Sequence, residues 1–518
     1  MELTWNRGYE DYEDSAWPAR KEYLTEIQQG LTPEKTAGLN IYELMDTLER
    51  MEELMRYYTV CRDLYSLESL MQSYEPLLER LRAEHPDTAG FWYLEMEYAR
   101  LHALLCMNQN DNRQAVTRLE QALAHGERCF SCLQAEEDSF QEEQRLFLAW
   151  SCAECRNEMA TACERILDSQ KMHQVLVDSV PLLQYVESCL GDGDGICEKT
   201  AEFYSRIGGI HYQYSEFADG DRWYTHAREL FEHLADKLHS DFYRARALMI
   251  YSLHGIDAFT RWGNTDIILA CENDALQFLD SGAEGCSRSI AEGALAMIYM
   301  QRGTTIQQSG GSINDAVRWT EKSVDLFGNA QEALEKDSVH VENANAGNVL
   351  TDIAARLYSG SVAAMDVLGV QYYAVGRADE ARGVFEEVLS MIANPGDYTL
   401  SESASLLIRS ESCEYLALLS ADGGDWKEAD HYGTLAMDFS EKVAQATGNP
   451  AAWQIAAVSA ALVSEIAERA RNKPKMGAAA ARGLAACDEL ERLTPDNGIL
   501  SLRGNLIKRE KKSKCRFF

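Results

Sequence analysis

The chain has 518 residues, which is too long for one ordinary compact domain and predicts several domains or an elongated array. Its hydrophobic fraction of 46% and aromatic fraction of 9% exclude a disordered chain. Acidic residues outnumber basic ones by 83 to 49, and the formal net charge of −34 repels phosphate backbones and anionic lipid surfaces. We therefore expect neither a nucleic acid nor a membrane as partner.

The proline content and the hydrophobic pattern predict an all-α chain. Nine prolines in 518 residues lie below the usual share of roughly 5%. Because proline interrupts helices, this scarcity favours long ones. Short Val/Ile/Thr runs bounded by turn residues, which are typical of strands, are almost absent.

The N-terminus and the cysteines favour a cytoplasmic location. The segment MELTWNRGYEDYEDSAW lacks the basic start and the apolar core of a signal peptide. Fourteen cysteines without such a signal are typical of unpaired thiols in a reducing compartment. The most apolar window, 451–470, carries Gln454, Glu465 and Glu468, so we expect a core helix there and not a membrane span.

The clearest repeat unit is LGVQYYAVGRADEARGVFEEVL, residues 368–389, in which small and large side chains alternate at fixed intervals. The small residues are Gly369, Gly376 and Ala381, and the large ones are Leu368, Tyr372 and Phe385. Related spacings recur at 102–123, 206–227, 300–324 and 416–437. Gly or Ala at a contact lets two helix axes approach closely, and a Gly that adopts a left-handed conformation ends the first helix. The pattern therefore predicts helical hairpins that stack on their neighbours.

This pattern resembles the tetratricopeptide repeat family, whose unit is a pair of antiparallel helices. Residues 362–395 match best, including Pro395, and depart from the family at Met365 and Val388. The resemblance implies a right-handed α-solenoid, a superhelix whose first helices line a concave groove that binds a protein or peptide segment.

The hairpins are predicted in chain order from residue 41 to residue 497, after an irregular N-terminal extension at 1–40. Their ranges are 41–83, 87–133, 140–190, 200–236, 241–281, 288–328, 350–393, 402–446 and 451–493. A wide spacing of the small residues predicts an insertion near 328–347. Residues 498–518 are expected to form a capping helix and a basic tail with six Lys and Arg residues. We expect this tail to be a frayed, solvated terminus, with contact to an acidic surface as the alternative.

The resemblance also implies which side chains line the groove. The family's groove positions fall on Arg100, Leu104, Met107, Glu202, Tyr212, Asp366, Tyr373, Glu411 and Glu414. Most of these are acidic, aromatic or apolar, and Arg100 alone is basic. They therefore exclude the cationic clamp with which chaperone-type members hold a terminal carboxylate, and favour a basic or amphipathic partner. Packing within or between repeats is the alternative role for each of these residues.

Two CxxC pairs, Cys129-x-x-Cys132 and Cys152-x-x-Cys155, have the spacing of a four-cysteine zinc site. Their surroundings, HGERCFSCLQAEED and AWSCAECRNEM, look helical and lack the Gly- or Pro-rich turns of zinc ribbons. This context favours the alternative, in which the cysteines are small buried residues at helix contacts.

The function that follows from these patterns is a non-catalytic scaffold or adaptor that binds a protein or peptide. No HExxH, GxxxxGK[ST] or GxSxG motif is present, so we expect no enzyme activity and no cofactor. A peptide-responsive regulator is the alternative, and a zinc protein or an enzyme built on the same fold is the third hypothesis.

Overall fold

The structure is a computed structural model that describes residues 22, 25, 36 and 38–514, apart from 61–62, 87, 136–140, 191–193, 339–343, 395–399, 401 and 495–497. In this part of the chain every regular element is helical, so the predicted all-α class is confirmed. Most of the predicted N-terminal extension lies outside the described residues. The chain divides into two compact units, the first ending at Leu238, apart from short segments of each that group with the other.

The first unit is built from eight described helices. They are α1 (Ile41–Val60), α2 (Leu64–Glu84), α3 (Ala89–Asn108), α4 (Asn112–Ala135), α5 (Gln141–Arg165), α6 (Ser169–Leu190), α7 (Asp194–Gln213) and α8 (Phe217–Leu238). Within hairpins, α1 packs on α2, α3 on α4, and α7 on α8. Neighbouring hairpins meet through contacts of α1 and α2 with α3, and of α6 with α7.

The second unit continues the same arrangement. Its helices are α9 (Asp241–Asp257), α10 (Asp266–Asp280), α11 (Gly285–Gln308), α12 (Ile313–Ser338), α13 (Ala344–Ala374), α14 (Ala378–Ala393), α15 (Glu402–Asp422), α16 (Trp426–Thr447), α17 (Pro450–Arg469), α18 (Lys473–Leu493) and α19 (Leu500–Lys514). A π-helical turn, Ala258–Trp262, extends α9. Within hairpins, α9 packs on α10, α11 on α12, α15 on α16, and α17 on α18. The predicted stacking of hairpins is confirmed by the packing of α9 on α11, α14 on α15, and α16 on α17.

Seven turns between paired helices share one backbone conformation. In each, a residue with positive φ follows the first helix, and the next N–H donates to the carbonyl five residues earlier at 2.7–2.9 Å. The residues with positive φ are Asn110, Leu167, Ser215, Gly310, Gly376, Gly424 and Arg471. The two turn glycines predicted from the sequence, Gly376 and Gly424, have φ of 78° and 79° as expected for a left-handed helix end. The backbone conformation of the turn therefore recurs from hairpin to hairpin, although the type of the residue with positive φ varies.

The closest helix contact in the hairpin of α13 and α14 depends on Gly369. A Cβ at this position would lie 2.7–3.0 Å from the ring atoms of Phe385. Phe385 cannot move away, because it is fully buried and its ring stacks on that of Tyr415 at 5.2 Å. The predicted role of Gly369 as a contact point is therefore correct. Leu368, Tyr372 and Ala381 belong to the same buried cluster, as predicted.

Other hairpins repeat this contact with different partners. A Cβ at Gly208 of α7 would lie 2.8 Å from the ring of Tyr224 on α8. At Gly255 of α9 it would lie 2.8 Å from the backbone of Ile268 on α10. Because backbone atoms and buried rings cannot yield, both glycines fix how closely the paired helices approach.

The residues between 328 and 347 largely extend helices that flank them. Helix α12 continues to Ser338 and α13 begins at Ala344, with the residues between them outside the described part. The wide spacing that predicted an insertion thus corresponds, where it is described, to longer helices.

The C-terminal residues as far as Lys514 form a helix, so the expected frayed terminus is wrong for this part, whereas Lys508, Lys511 and Lys514 are solvated as expected. Helix α19 packs on α17 and α18. Arg509 lies 3.0 Å from both Glu465 and Glu468, and Lys512 lies 2.6 Å from Glu468. The alternative, contact with an acidic surface, is the arrangement that the structure shows, and the surface belongs to the chain's own α17.

Two helices, Ile353–Ala374 and Pro450–Arg469, are long and apolar enough to cross a membrane by length and composition alone. The rest of the protein buries 61% and 56% of their apolar windows, and the core helices of soluble proteins are buried in the same way. This burial agrees with the core helix predicted around 451–470.

We expect Gly369→Ala to lower stability and Gly383→Ala, its control on α14, to preserve or raise it. The first methyl group would press on the fixed ring of Phe385, which costs about 1–3 kcal/mol. The second meets nothing within 4 Å and gains helix propensity of up to about 1 kcal/mol. The measurement is the urea midpoint of the helical circular dichroism signal, and equal midpoints for the two variants would contradict the close contact.

Candidate functional site

The predicted groove residues differ widely in exposure. Arg100, Met107, Tyr212 and Asp366 are buried, Leu104, Glu202, Tyr373 and Glu414 are half-buried, and Glu411 is exposed. Arg100, Leu104, Met107, Glu202 and Tyr212 belong to the first unit, whereas the remaining four lie on α13 and α15 of the second. The structure therefore brings together one subset of the predicted residues, the four of the second unit.

Arg100 is buried inside the first unit, where it joins two helices, α3 and α5. Its guanidinium contacts Glu154 at 2.9 Å and Glu158 at 2.6 Å on α5, and Glu97 on its own helix at 3.8 Å. It is 4% exposed. Because a buried charge is stable only with partners, Arg100 and these carboxylates form a structural cluster, the alternative role considered for it.

Met107 and Tyr212 also pack inside the first unit. Tyr212 is 1% exposed, its hydroxyl donates to Asp221 on α8, and its ring occupies the space left by Gly220. Met107 is 7% exposed. Both side chains are therefore buried in the protein and do not line an open groove.

The four groove residues of the second unit lie within a larger set, which we call the acidic strip. It consists of Asp366, Tyr373, Glu411, Glu414, Tyr415 and Asp422. Helices α13 and α15 are the first helices of successive hairpins, and they meet through a hydrogen bond from the Ser412 hydroxyl to Asp366 at 2.9 Å. The hydroxyl of Tyr373 donates to Asp422 at 3.3 Å, which adds a second link between the two helices.

Asp366 holds a proton at neutral pH. Burial raises its pKa to about 8, and the neighbouring Glu411 carboxylate acts in the same direction. The protonated carboxyl shares a hydrogen bond with Glu411, while the bond from Ser412 lowers the pKa and opposes the shift. Asp366 and Glu411 are thus a carboxyl–carboxylate pair, a stable arrangement only while one of the two is neutral.

The pKa shifts of Asp366, Glu414 and Tyr415 in the acidic strip have acidic neighbours among their causes and no basic one. Burial raises the pKa of Glu414, and the negative charge of Glu411 raises it further. The pKa of Tyr415 rises to about 12 through burial and through Glu411, Glu414 and Asp366. Since every charged group that shifts these pKa values is acidic, the potential at these three residues is negative.

The tyrosines of the strip are held in place by neighbouring rings. Tyr373 and Tyr415 meet edge to face at 5.3 Å, and Tyr415 stacks on Phe385 in the core. Apolar side chains continue the surface on α17, where Ser459 lies beside Glu414. Ile455, one turn before Ser459, is 38% exposed. The strip therefore combines negative charge with rigid aromatic and apolar area.

Sequence reasoning missed two members of the strip, Tyr415 and Asp422. Asp422 is the last residue of α15, directly before the turn, and Tyr373 is the residue before the last of α13. The alignment of the two helix ends was therefore the signal that could have found Asp422. Tyr415 carries no such signal, because its role depends on the ring stacking that joins it to Phe385.

The four cysteines of the CxxC pairs do not converge. All four are among the described residues, and no three of their sulfurs lie within 4.8 Å of one another. The thiol of Cys129 donates to the carbonyl of Ala89 at 3.3 Å, and Cys152 lies against Met96 and Gly126. Burial raises the pKa of the Cys152 thiol to about 12. Cys129 and Cys152 therefore lie at helix contacts, as their sequence context predicts.

Comparisons with known proteins give structural likeness without a sequence family. No family model and no curated protein matches the chain. The apo form of the quorum sensor NprR from B. thuringiensis is similar over 86% of this chain and 99% of its own, at 11% identity and a TM-score of 0.41. The apo form of RapI covers 86% and 98%, at 10% identity and a TM-score of 0.38.

The human IFIT1 dimer with m7Gppp-AAAA is similar over 92% of this chain and 95% of its own, at 10% identity and a TM-score of 0.31. At this level of likeness, what these proteins bind is a property of them and is not transferred to this chain. The hairpin repeat described above stands on the chain's own helices, turns and contacts.

We expect the free energy of unfolding to fall with rising pH, and Asp366→Asn to reduce this fall. The folded chain binds the Asp366 proton more tightly than the unfolded one, so the stabilisation is complete below the unfolded pKa of 3.8 and is lost up to about pH 8. Asn keeps the hydrogen bonds of the neutral form and cannot ionise. Urea unfolding at intervals between pH 4 and pH 8 measures the difference.

The control for this measurement is Glu387→Gln, which removes one exposed carboxylate from the neighbouring α14. It should leave the pH dependence of the wild type unchanged. A pH profile of Asp366→Asn that runs parallel to the wild type would show that Asp366 ionises normally in the folded chain.

Proposed function

We propose that this chain is a non-catalytic binding protein whose acidic strip holds a basic or amphipathic segment of a protein or peptide partner. The observation that carries this proposal is the negative potential at the strip. Burial and neighbouring acidic groups raise the pKa values of Asp366, Glu414 and Tyr415, and no basic group contributes to these three shifts. A Lys or Arg of a partner would supply the missing positive charge.

The geometry of the acidic strip favours a peptide segment as its ligand, and not a single ion. Exposed carboxylates lie at two places along α15, at Glu411 and three turns later at Asp422. Rigid rings of Tyr373 and Tyr415 lie between them and can receive apolar side chains or the face contact of a cation. Alternating charged and aromatic positions of this kind suit an extended or helical peptide with basic and apolar residues.

The links between successive hairpins favour the ligand-responsive version of this function as the second candidate. Asp366 joins α13 to α15 through Ser412 and Glu411 while it holds its proton. A bound cation lowers the pKa of a neighbouring carboxyl, so binding would release this proton and alter the contact between hairpins. Ligand binding at the acidic strip would thereby change how the two hairpins pack.

The remaining expectations from the sequence stay predictions. These are a cytoplasmic location and the exclusion of nucleic acid and membrane as partners, which rest on composition and net charge. A single-stranded RNA oligomer therefore belongs among the probes, and its binding to the acidic strip would contradict the expected preference for basic segments.

We expect the full chain to bind a fluorescent amphipathic helical peptide of Lys and Leu, and not its Glu/Leu counterpart. Fluorescence anisotropy at low and high salt measures this, and the affinity should fall with salt because exposed charges are screened. The double variant Glu411→Gln/Asp422→Asn should weaken binding about tenfold, since two exposed contacts of up to about 1 kcal/mol each amount to that much.

The matched control is the double variant Glu386→Gln/Glu387→Gln, which removes the same charge from exposed positions of α14. It should bind the Lys/Leu peptide as the wild type does. If both double variants lose affinity equally, the attraction comes from the net charge of the chain and the acidic strip is not its site.

A further inference from the structure

A second cluster, separate from the acidic strip, lies in the first unit where two hairpins meet. His173 near the start of α6, His211 at the end of α7 and Glu216 in the turn before α8 converge there. Nδ1 of His211 lies 2.5 Å and Nε2 of His173 lies 3.2 Å from the same oxygen, Oε2 of Glu216. The three ligand atoms all lie within 4.8 Å of one another.

The turn that carries Glu216 explains how the side chains meet. Ser215 has φ of 63°, and the N–H of Glu216 donates to the carbonyl of His211 at 2.9 Å. This turn has the same conformation as the other six turns described above. It places the residue that follows the left-handed residue next to the residue five positions earlier in the chain. His211 and Glu216 are therefore brought together by the backbone, and packing of α6 on α7 adds His173.

Glu216 differs from the residues at the same position of other turns. In four of the other six turns this side chain accepts backbone N–H groups and caps the helix that follows, and the four residues are Asp111, Asp168, Asp425 and Asn472. The carboxylate of Glu216 instead points to the two histidines. The sequence thus replaces a short capping side chain by a longer one that reaches a histidine pair.

We propose that His173, His211 and Glu216 form a three-ligand site for a divalent transition metal ion, with Zn²⁺ as the physiological occupant. Two imidazole nitrogens and one carboxylate oxygen are a donor set of zinc, whereas Mg²⁺ and Ca²⁺ take oxygen ligands. Tetrahedral bonds of about 2.0–2.1 Å place ligand atoms about 3.3 Å apart, a spacing that Nε2 of His173 and Oε2 of Glu216 already have at 3.2 Å, whereas Nδ1 of His211 lies closer to that oxygen at 2.5 Å. Rotation of the exposed Glu216 side chain makes the room that the ion needs.

The position of the site means that a bound ion would affect the packing of two hairpins. His173 belongs to one hairpin, whereas His211 and Glu216 belong to the next, so a bound ion would join the two. Three protein ligands leave a fourth position for water or for a donor group of another molecule. His173 and Glu216 are partly accessible, so this position can be reached from solvent.

The test is titration of the purified, reduced full chain with Co²⁺, followed by competition with Zn²⁺. We expect one Co²⁺ per chain with a visible d–d spectrum and without thiolate-to-cobalt charge transfer, and displacement by Zn²⁺. His211→Gln and His173→Gln should each weaken binding at least about tenfold, the loss that even a supporting residue of a metal site causes. Zn²⁺ should also raise the melting temperature of the wild type more than that of these variants.

Two control variants separate this site from other ligands of the chain. His226→Gln removes one His–Glu pair of the same unit, in which Nε2 of His226 lies 3.1 Å from Glu187, and it should bind Co²⁺ as the wild type does. Cys129→Ser/Cys152→Ser should also leave binding unchanged. Circular dichroism establishes that each variant is folded. Binding that persists in His211→Gln and His173→Gln, or that carries a thiolate band, would overturn the proposal.

Discussion

The structure depends on how closely the two helices of a hairpin approach one another. At Gly369 and Gly208 the partner is a buried aromatic ring, and at Gly255 it is helix backbone, so a side chain at any of these positions has no free space. The distance between the two helices determines which apolar side chains are buried within the hairpin and which stay available to pack against the next hairpin. Phe385 is an example, because its buried ring packs against Gly369 within its own hairpin and also stacks on Tyr415 of the following hairpin.

Polar contacts between the first helices of successive hairpins form a second, weaker level of organisation. In the first unit Arg56 of α1 contacts Glu97 of α3 at 3.0 Å, and Arg100 of α3 continues to α5. In the second unit Ser412 and Asp366 make the corresponding link. The two units differ along this series, since arginines contact the carboxylates in the first, whereas the charged groups that shift the pKa values of Asp366, Glu414 and Tyr415 in the acidic strip are acidic. That difference is the reason why the proposed ligand site lies in the second unit.

The sequence predicted the features that recur and missed those that depend on a single distant partner. Gly369 and Gly376 could be found because small residues return at a constant interval in several segments. The burial of Arg100 could not, because the carboxylates that enclose it come from α5, more than fifty residues later. The acidic strip was half predicted, since Asp366 and Glu411 follow from helix position, but the proton that they share depends on burial, which no local pattern reveals.

The most direct test of the central contact is a double-mutant cycle between Gly369 and Phe385. Replacing Phe385 by Leu removes the ring atoms that a Cβ at position 369 would meet, so Gly369→Ala should cost less in the Phe385→Leu background than in the wild type. Urea unfolding of the four proteins gives the coupling free energy, and a value of about 1 kcal/mol or more is expected for residues in direct contact. A coupling near zero would show that the two helices do not meet at this point, and the account of the hairpin would be wrong.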